Sequence, residues 1–189
     1  MSTLSEQLNH QFDQSIQKFN DANYDWLMQF DRHFTHAVTF TFNPRRIRRL
    51  EEGNDETFWV PTKADILELQ KKSFRCFRFK LNKLLFGNDV TRRGRGVLMV
   101  PIIEGLYSGG RVHYHCAIAV PADRMSVFEG KLRDAWRYAP LSGDQVDIQP
   151  YRNQGWLGYI SKHAKYLNRE CIDWDNVFVP KCFEPSIAD

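Results

Sequence analysis

Long apolar runs and paired cysteines are both missing from this chain of 189 residues. No apolar stretch approaches the roughly 20 residues that a membrane-spanning helix needs, and the polar N-terminus is unlike a secretory signal. The four cysteines (Cys76, Cys116, Cys171 and Cys182) form no Cys-x-x-Cys pair. Their scatter argues against a zinc ribbon and against a disulfide framework. We therefore expect a cytoplasmic protein that makes no membrane contacts.

Internal repeats and low-complexity segments are also absent, and the formal net charge of +3 is small. The length suits one domain with a substantial core. The basic residues are clustered along the chain. Of the 26 Lys and Arg residues, 13 fall within 45–49, 71–83 and 92–95. Such clusters are typical of a surface that binds a phosphate backbone, and a solvated helix face gives the same pattern.

Hydrophobic periodicity divides the chain into an N-terminal helical extension (1–33), a central region and a tail (169–189). Acidic residues 51–56 are expected to form a loop. In the central region the pattern predicts strands over 36–43, 97–104, 111–120 and 144–149, and helices over 62–86, 122–139 and 155–168. This βαββαβ order predicts an α+β fold with a four-stranded antiparallel sheet of ferredoxin-like type, in which the first and third strands are central.

The third predicted strand carries the residues with the clearest chemistry. His113 and His115 alternate with apolar residues, so both imidazoles lie on one face of the strand. Glu104 ends the preceding strand. A two-residue turn at 108–109 brings Glu104 opposite His113, and one at 109–110 brings it opposite His115. A three-residue turn puts it on the wrong face. With either two-residue turn, these three residues form a candidate site for a divalent metal.

The last predicted helix carries a stripe of polar residues, Tyr159, Lys162, His163 and Tyr166, at positions i, i+3, i+4 and i+7. The sheet face that holds the histidines has no other helix assigned to it and carries only alanines beyond the pair. We therefore expect this helix to lie across that face and to bring a phenol to the metal. A helix whose Tyr and Lys only extend toward solvent has the same pattern.

Three motifs in this order resemble the HUH single-strand DNA endonucleases, in particular the replication-initiator branch that includes initiators of filamentous phages and prophages. The motifs are Thr39-Phe40-Thr41-Phe42, His113-Tyr114-His115 and Tyr159-Ile160-Ser161-Lys162. The resemblance implies an endonuclease domain over 34–168. It also implies metal-dependent, sequence-specific nicking and joining of single-stranded DNA through a 5′-phosphotyrosyl intermediate, as in the initiation of rolling-circle replication.

The resemblance also implies roles for individual residues. Tyr159 is the expected nucleophile and Lys162 its charge-stabilising partner, with His163 and Tyr166 as secondary candidates. Two-tyrosine initiators space their tyrosines one helical turn apart, whereas Tyr159 and Tyr166 are two turns apart, which puts a second nucleophile in doubt. Glu104, His113 and His115 are the expected ligands of Mn²⁺ or Mg²⁺, and zinc stays open.

The expected partner is single-stranded DNA or a DNA hairpin at an origin, with a host helicase and a host polymerase. We expect no helicase domain after the predicted endonuclease domain, and we therefore expect any unwinding to need a host enzyme. The candidate DNA-binding residues are the arginines of two basic clusters: Arg45, Arg46, Arg48, Arg49, Arg92, Arg93 and Arg95.

Other classes fit parts of the same pattern. A transposase or a relaxase-like strand transferase would use the same motifs. A non-catalytic single-stranded nucleic-acid-binding module would stack bases on aromatic residues of the sheet, but Phe40 and Phe42 are expected to face inward. A histidine-triad nucleotide hydrolase needs a third histidine where this chain has Ala117. A cupin needs a glutamate shortly after His115, where none occurs.

Overall fold

The computed structural model describes residues 18, 21–52, 61–105, 110–152, 155–157 and 172–183. Its centre is one antiparallel sheet of four strands: β1 (His36–Phe42), β2 (Leu98–Glu104), β3 (His113–Ala119) and β4 (Ser142–Pro150). The strand order is β2-β3-β1-β4, so β1 and β3 are the inner strands. The α+β class and the four-stranded antiparallel sheet, both predicted from the order of elements, are confirmed.

The helices precede, separate and flank these strands. They are α1 (residues 21–28), α2 (Pro44–Glu52), α3 (Lys63–Phe86), α4 (Asp89–Arg93) and α5 (Met125–Tyr138). Short 3-10 turns occupy Asp31–His33, Ala122–Arg124 and Lys181–Phe183. Among the described helices, none is both long enough and apolar enough to cross a membrane.

Capping residues at both ends of helix α3 explain where it begins and where it ends. The Thr62 hydroxyl accepts a hydrogen bond from the Asp65 backbone N–H, and the Asp65 carboxylate accepts one from the Thr62 backbone N–H, which forms a capping box. The hydrogen bonds from Thr62 lower the pKa of the Asp65 carboxyl. Gly87, with a φ of 56°, ends the helix in a conformation that favours glycine.

Helix α2 corrects one expectation, because Glu51 and Glu52 are helical and not part of a loop. The Asn43 side chain accepts hydrogen bonds from the backbone N–H groups of Arg45 and Arg46, at 3.0 and 3.2 Å. Pro44 occupies the first helical position, where its missing N–H costs no hydrogen bond. This pair of residues, which ends β1, also starts a helix that carries four arginines.

The first face of the sheet is covered by α3 and α5 through a cluster of aromatic side chains. Phe40 of β1 packs against Phe74 and Phe77 of α3, with ring centroids 5.4 and 4.8 Å away, and against Trp136 of α5 at 4.9 Å. All four side chains are fully buried. The apolar alternation of β1 therefore forms the main core, as expected for a strand whose other face is polar.

The second face, which was expected to be open apart from the last helix, is also packed. Leu27 of α1, Phe30 and Phe34 are buried in one cluster with Leu157 and Ile172. The sheet residues of this cluster are the small or aliphatic ones: Leu98, Val100, Ile102, Ala117 and Ala119. The N-terminal extension thus contributes to a second core, because the alanines of β3 leave space for larger side chains.

Residues 172–178 lie along the outer edge of β2. Met99 and Phe178 exchange two backbone hydrogen bonds of 2.9 Å, and the Asp173 N–H donates to the Pro101 carbonyl at 3.0 Å. Pro101 is tolerated because its nitrogen is on this outer side, so no hydrogen bond to β3 is lost. This segment protects an edge that would otherwise be free to pair with another chain.

A buried polar network fastens the same segment to β3. The Tyr114 hydroxyl donates to the Asp173 carboxylate at 2.6 Å, and the Asn176 amide donates to the same oxygen at 2.6 Å. Asp173 is only 2% exposed. Burial, and then the neighbouring Asp173 charge, raise the pKa of Tyr114 well above its usual value, so the phenol stays protonated and remains a donor.

We predict that Tyr114→Phe lowers the free energy of unfolding by about 1–3 kcal/mol, because a buried carboxylate loses one of its donors. Chemical denaturation measures the difference. Tyr138→Phe is the matched control, since Tyr138 is 67% exposed. Equal stabilities for the two variants would show that the Tyr114–Asp173 bond contributes nothing.

Candidate metal centre

The pairing of β2 with β3 brings three metal-ligating side chains together. Glu104 lies directly opposite His113, and Ile102 lies opposite His115. This is the register expected for a two-residue turn centred on 108–109, although residues 106–109 themselves lie outside the described residues. Because opposite residues share a face, Glu104 projects to the same side of the sheet as both histidines.

The three side chains converge on one point. The Nε2 atoms of His115 and His113 lie 2.7 and 3.3 Å from the same Glu104 oxygen, Oε2. The two imidazole rings meet edge to face with centroids 5.0 Å apart. One ligand atom from each residue lies within 4.8 Å of the others. The side chains are 15–28% exposed, so the cluster is half-buried and has access to solvent.

The other nitrogen of each imidazole is held by a fixed partner. The Nδ1 atom of His113 lies 3.0 Å from the Arg111 carbonyl oxygen. A carbonyl only accepts, so Nδ1 of His113 carries a proton. Nε2 faces the Glu104 carboxylate, and a metal bound there would take the place of a proton on this nitrogen. The Nδ1 atom of His115 lies 3.0 Å from the Thr39 hydroxyl, which can accept in the same way. Such partners orient metal-ligating histidines.

These donors fit a divalent cation. Two neutral imidazole nitrogens and one carboxylate oxygen supply three ligands and leave the remaining positions for water or for oxygens of a substrate. Glu104 also offsets part of the cation's charge. Similar sets with an open position serve Zn²⁺ as well as Mn²⁺ and Mg²⁺, so the residues define a metal site without selecting the metal.

The beginning of the last predicted helix lies beside this cluster. Residues 155–157 are helical, and the Trp156 ring centroid lies 6.4 Å from that of His115. Leu157 is buried in the second-face core. The predicted nucleophile and its companions, Tyr159, Lys162, His163 and Tyr166, lie outside the described residues.

The two arginine clusters lie at opposite ends of α3. Helix α2, with Arg45, Arg46, Arg48 and Arg49, flanks the first turns of α3 and the base of the β2–β3 hairpin. Arg92, Arg93 and Arg95 follow the other end of α3, and its 24 residues span about 36 Å. Along the strands, only the α2 cluster is therefore at the hairpin end of the sheet, which is also the end where the metal cluster lies.

Two of the candidate DNA-binding arginines are engaged within the protein. Arg95 donates to the Asp123 carboxylate at 2.7 Å, and Arg46 donates to the Pro140 carbonyl at 2.6 Å. Arg93 lies 3.7 Å from Asp89 in an exposed pair that contributes little. Arg45, Arg48 and Arg49 are exposed on α2 and make no ion pair with any described acid.

Sequence reasoning missed two neighbours of the metal cluster. Thr39 was part of a recognised motif but had no assigned role, because its contact with His115 depends on pairing between strands 76 residues apart. Its position on the polar face of β1 was the available signal. No role was predicted for Trp156, because nothing in its spacing indicates a contact with His115.

Comparisons of the chain with protein-family models, with curated proteins and with solved structures found no match.

We predict that Thr39→Val weakens Mn²⁺ binding roughly 10–100-fold, because His115 loses the group that orients it. Isothermal titration calorimetry measures the affinity. Thr41→Val is the matched control, since the Thr41 hydroxyl donates to the Gln145 carbonyl and not to a histidine. An affinity that falls equally in both variants, or in neither, would contradict the role of Thr39.

Proposed function

We propose that this protein nicks and rejoins single-stranded DNA in a metal-dependent reaction, through a covalent bond between Tyr159 and a 5′-phosphate. The observation that carries the proposal is the convergence of Glu104, His113 and His115 beside the start of the helix predicted to contain Tyr159. The resemblance of the three sequence motifs to HUH endonucleases adds the reaction type.

The architecture supports the same proposal. We infer a ferredoxin-like arrangement of the βαββαβ core, since the strand order is β2-β3-β1-β4 and both long helices, α3 and α5, pack on one face. In this arrangement the histidine strand is central and the opposite face is available to the segments before and after the core. The last predicted helix follows the final strand and begins on that face.

A divalent metal bound here would act as a Lewis acid on the scissile phosphate. The chain's own residues prepare the site for it. The Arg111 carbonyl and the Thr39 hydroxyl orient the imidazoles so that each Nε2 atom faces the cluster. The Glu104 carboxylate adds a negative charge that favours a cation. The half-buried setting strengthens these interactions relative to bulk water.

The position of Tyr159 in the sequence, shortly after Trp156, suits it to be the nucleophile. It follows Trp156 by three residues, which is close to one turn if the helix continues. In the proposed reaction the Tyr159 oxygen forms a bond to phosphorus, the bond from phosphorus to the 3′ oxygen breaks, and that oxygen leaves as a 3′-hydroxyl after taking up a proton. One phosphodiester replaces another, so the reverse step can rejoin the strand.

At neutral pH the attacking phenol needs a group that stabilises its phenolate form, because the unperturbed pKa of a tyrosine is near 10. Lys162, three residues further along the same stripe, can stabilise the developing phenolate through its positive charge. Arg45, Arg48 and Arg49 on α2 supply sequence-independent attraction for the phosphate backbone at the hairpin end of the sheet.

The alternative of a non-catalytic binding module is disfavoured by the burial of the sheet aromatics. Phe40 and Phe42 lie in the first core, and Leu27 and Phe30 cover much of the second face. The sheet therefore lacks an exposed aromatic platform for stacked bases among its described residues. A transposase or relaxase-like strand transferase uses the same chemistry and differs only in its DNA substrate.

We predict that Tyr159→Phe abolishes covalent adduct formation, because the variant lacks the oxygen that attacks phosphorus. The assay incubates the full chain with labelled random-sequence single strands and Mn²⁺, then separates denaturation-resistant adducts by electrophoresis. Tyr166→Phe is the comparison for a second tyrosine. An adduct that persists in Tyr159→Phe would contradict the assignment, and persistence only while Tyr166 is present would move the role to that residue.

We predict that His115→Ala lowers the rate of adduct formation by more than about 100-fold, since loss of a residue that merely orients a ligand already weakens a metal site roughly 10–100-fold. Binding of single-stranded DNA should change by less than about threefold, because phosphate contacts dominate affinity. His33→Gln, on a 3-10 turn away from the cluster, is the control. Equal loss of binding and reaction would indicate a structural histidine.

A further inference from the structure

A cleft of about 380 Å³ opens at the base of the β2–β3 hairpin. Its walls are α2, the first turns of α3 and the two chain segments that flank the hairpin loop, Gly105 and 110–112. The volume falls within the range of about 300–1,000 Å³ that is typical of ligand sites. None of the three proposed metal ligands is among the residues that line this cleft.

The inner part of the cleft is apolar with one polar group. Phe42, Ile66 and Val112 are among the apolar residues that line it. Gln70 also lines the cleft and is only 4% exposed. Its amide makes no hydrogen bond with any residue that the structure describes. An amide that makes no hydrogen bond within the described residues can bond to a ligand that enters the cleft.

The rim of the cleft is cationic. Arg48, Lys63 and Arg111 line it together with a single acid, Glu51. All three basic residues are exposed, and none forms an ion pair with a described acid. An apolar interior with one free amide and a basic rim is complementary to a flat heterocycle that carries a phosphate.

The cleft is coupled to the metal cluster through the backbone. The carbonyl of Arg111, a lining residue, accepts the hydrogen bond from His113 Nδ1 at 3.0 Å. Gly105, another lining residue, directly follows Glu104. A ligand in the cleft therefore contacts the two chain segments that hold two of the three metal ligands.

We propose that the cleft binds one unpaired nucleotide of the single-stranded DNA substrate. The base lies between the apolar walls, and the Gln70 amide pairs with an edge that offers a donor and an acceptor side by side, as adenine does. The nucleotide's phosphate contacts the basic rim. That the ligand belongs to single-stranded DNA rests on the proposed function. The inference adds Gln70 as a residue that selects the base bound in the cleft.

The experiment incubates the full-length protein with Mn²⁺ and a library of random-sequence single strands. Strands that elute with high salt report binding, and strands that remain attached after denaturation report the covalent reaction; both pools are sequenced. The wild-type protein should select one base at one fixed position relative to the attachment site. Gln70→Leu should lose that preference by roughly tenfold or more at this one position, since a bidentate amide–base pair discriminates by about that factor.

Gln29→Leu is the matched control, because Gln29 is exposed in the turn after α1 and distant from the cleft. Unchanged Mn²⁺ affinity and an unchanged melting temperature establish that Gln70→Leu is folded. A second comparison tests the basic rim. Lys63→Ala should reduce the slope of log affinity against log salt concentration by about 1, the loss expected for one phosphate contact. Lys72→Ala, on the opposite side of α3, should not.

The two pools separate the two proposals. If Gln70→Leu retains the wild-type base preference in both pools, the cleft does not read a base, and the nicking proposal stands as long as adducts form. If the covalent pool is empty and the salt-eluted pool shows the Gln70-dependent preference, the cleft binds a nucleotide and the nicking proposal is wrong.

Discussion

The pairing register between β2 and β3 is the constraint on which the candidate site depends. Side chains alternate across a strand, so a shift of one residue would turn Glu104 away from the histidines. Gly105 helps to hold the register. Its φ is 94°, and a Cβ atom at this position would lie 2.5 Å from the Arg111 carbonyl oxygen. Only glycine allows the hairpin strands to approach this closely, and the same carbonyl orients His113.

Burial on both faces of the sheet supports the two strands of this hairpin. The first face carries an aromatic core against α3 and α5, and the second carries a smaller core built from α1, residues 155–157 and residues 172–183. The outer edge of β2 is paired with that last segment, which Asp173 fastens to Tyr114 on the neighbouring strand. The metal cluster lies where the second core ends. Its three ligands therefore have packed residues on the core side and solvent on the other side. Such support preorganises a site for its ligand.

Local signals predicted most of the fold. The Thr62 and Asp65 pair marked the start of α3, and the alternation along 113–119 identified β3 and its polar face. The order of elements indicated the four-stranded sheet. Asn43 and Pro44 carried a helix-start signal as clear as that of Thr62, but they were interpreted only as the end of a strand. Helix α2 was therefore missed.

The rest depends on contacts between distant parts of the chain. The spacing of Leu27 and Phe30 indicates an apolar stripe but not the surface that it covers, so the second core was not foreseen. The candidate ligands were found because hairpin geometry is local, and two registers stayed open until the structure selected one. Thr39 and Gln70 gain their proposed roles from neighbours far away in sequence, and no local pattern distinguishes them from other polar residues.

The most direct test of the metal site is a crystal structure of the protein with Mn²⁺, with anomalous diffraction recorded at the manganese absorption edge. We expect one strong anomalous peak, bound by a Glu104 oxygen and by the Nε2 atoms of His113 and His115, with both Nδ1 atoms still bonded to Arg111 and Thr39. A structure with no peak at this cluster, or with Mn²⁺ bound through Nδ1 of either histidine, would contradict it.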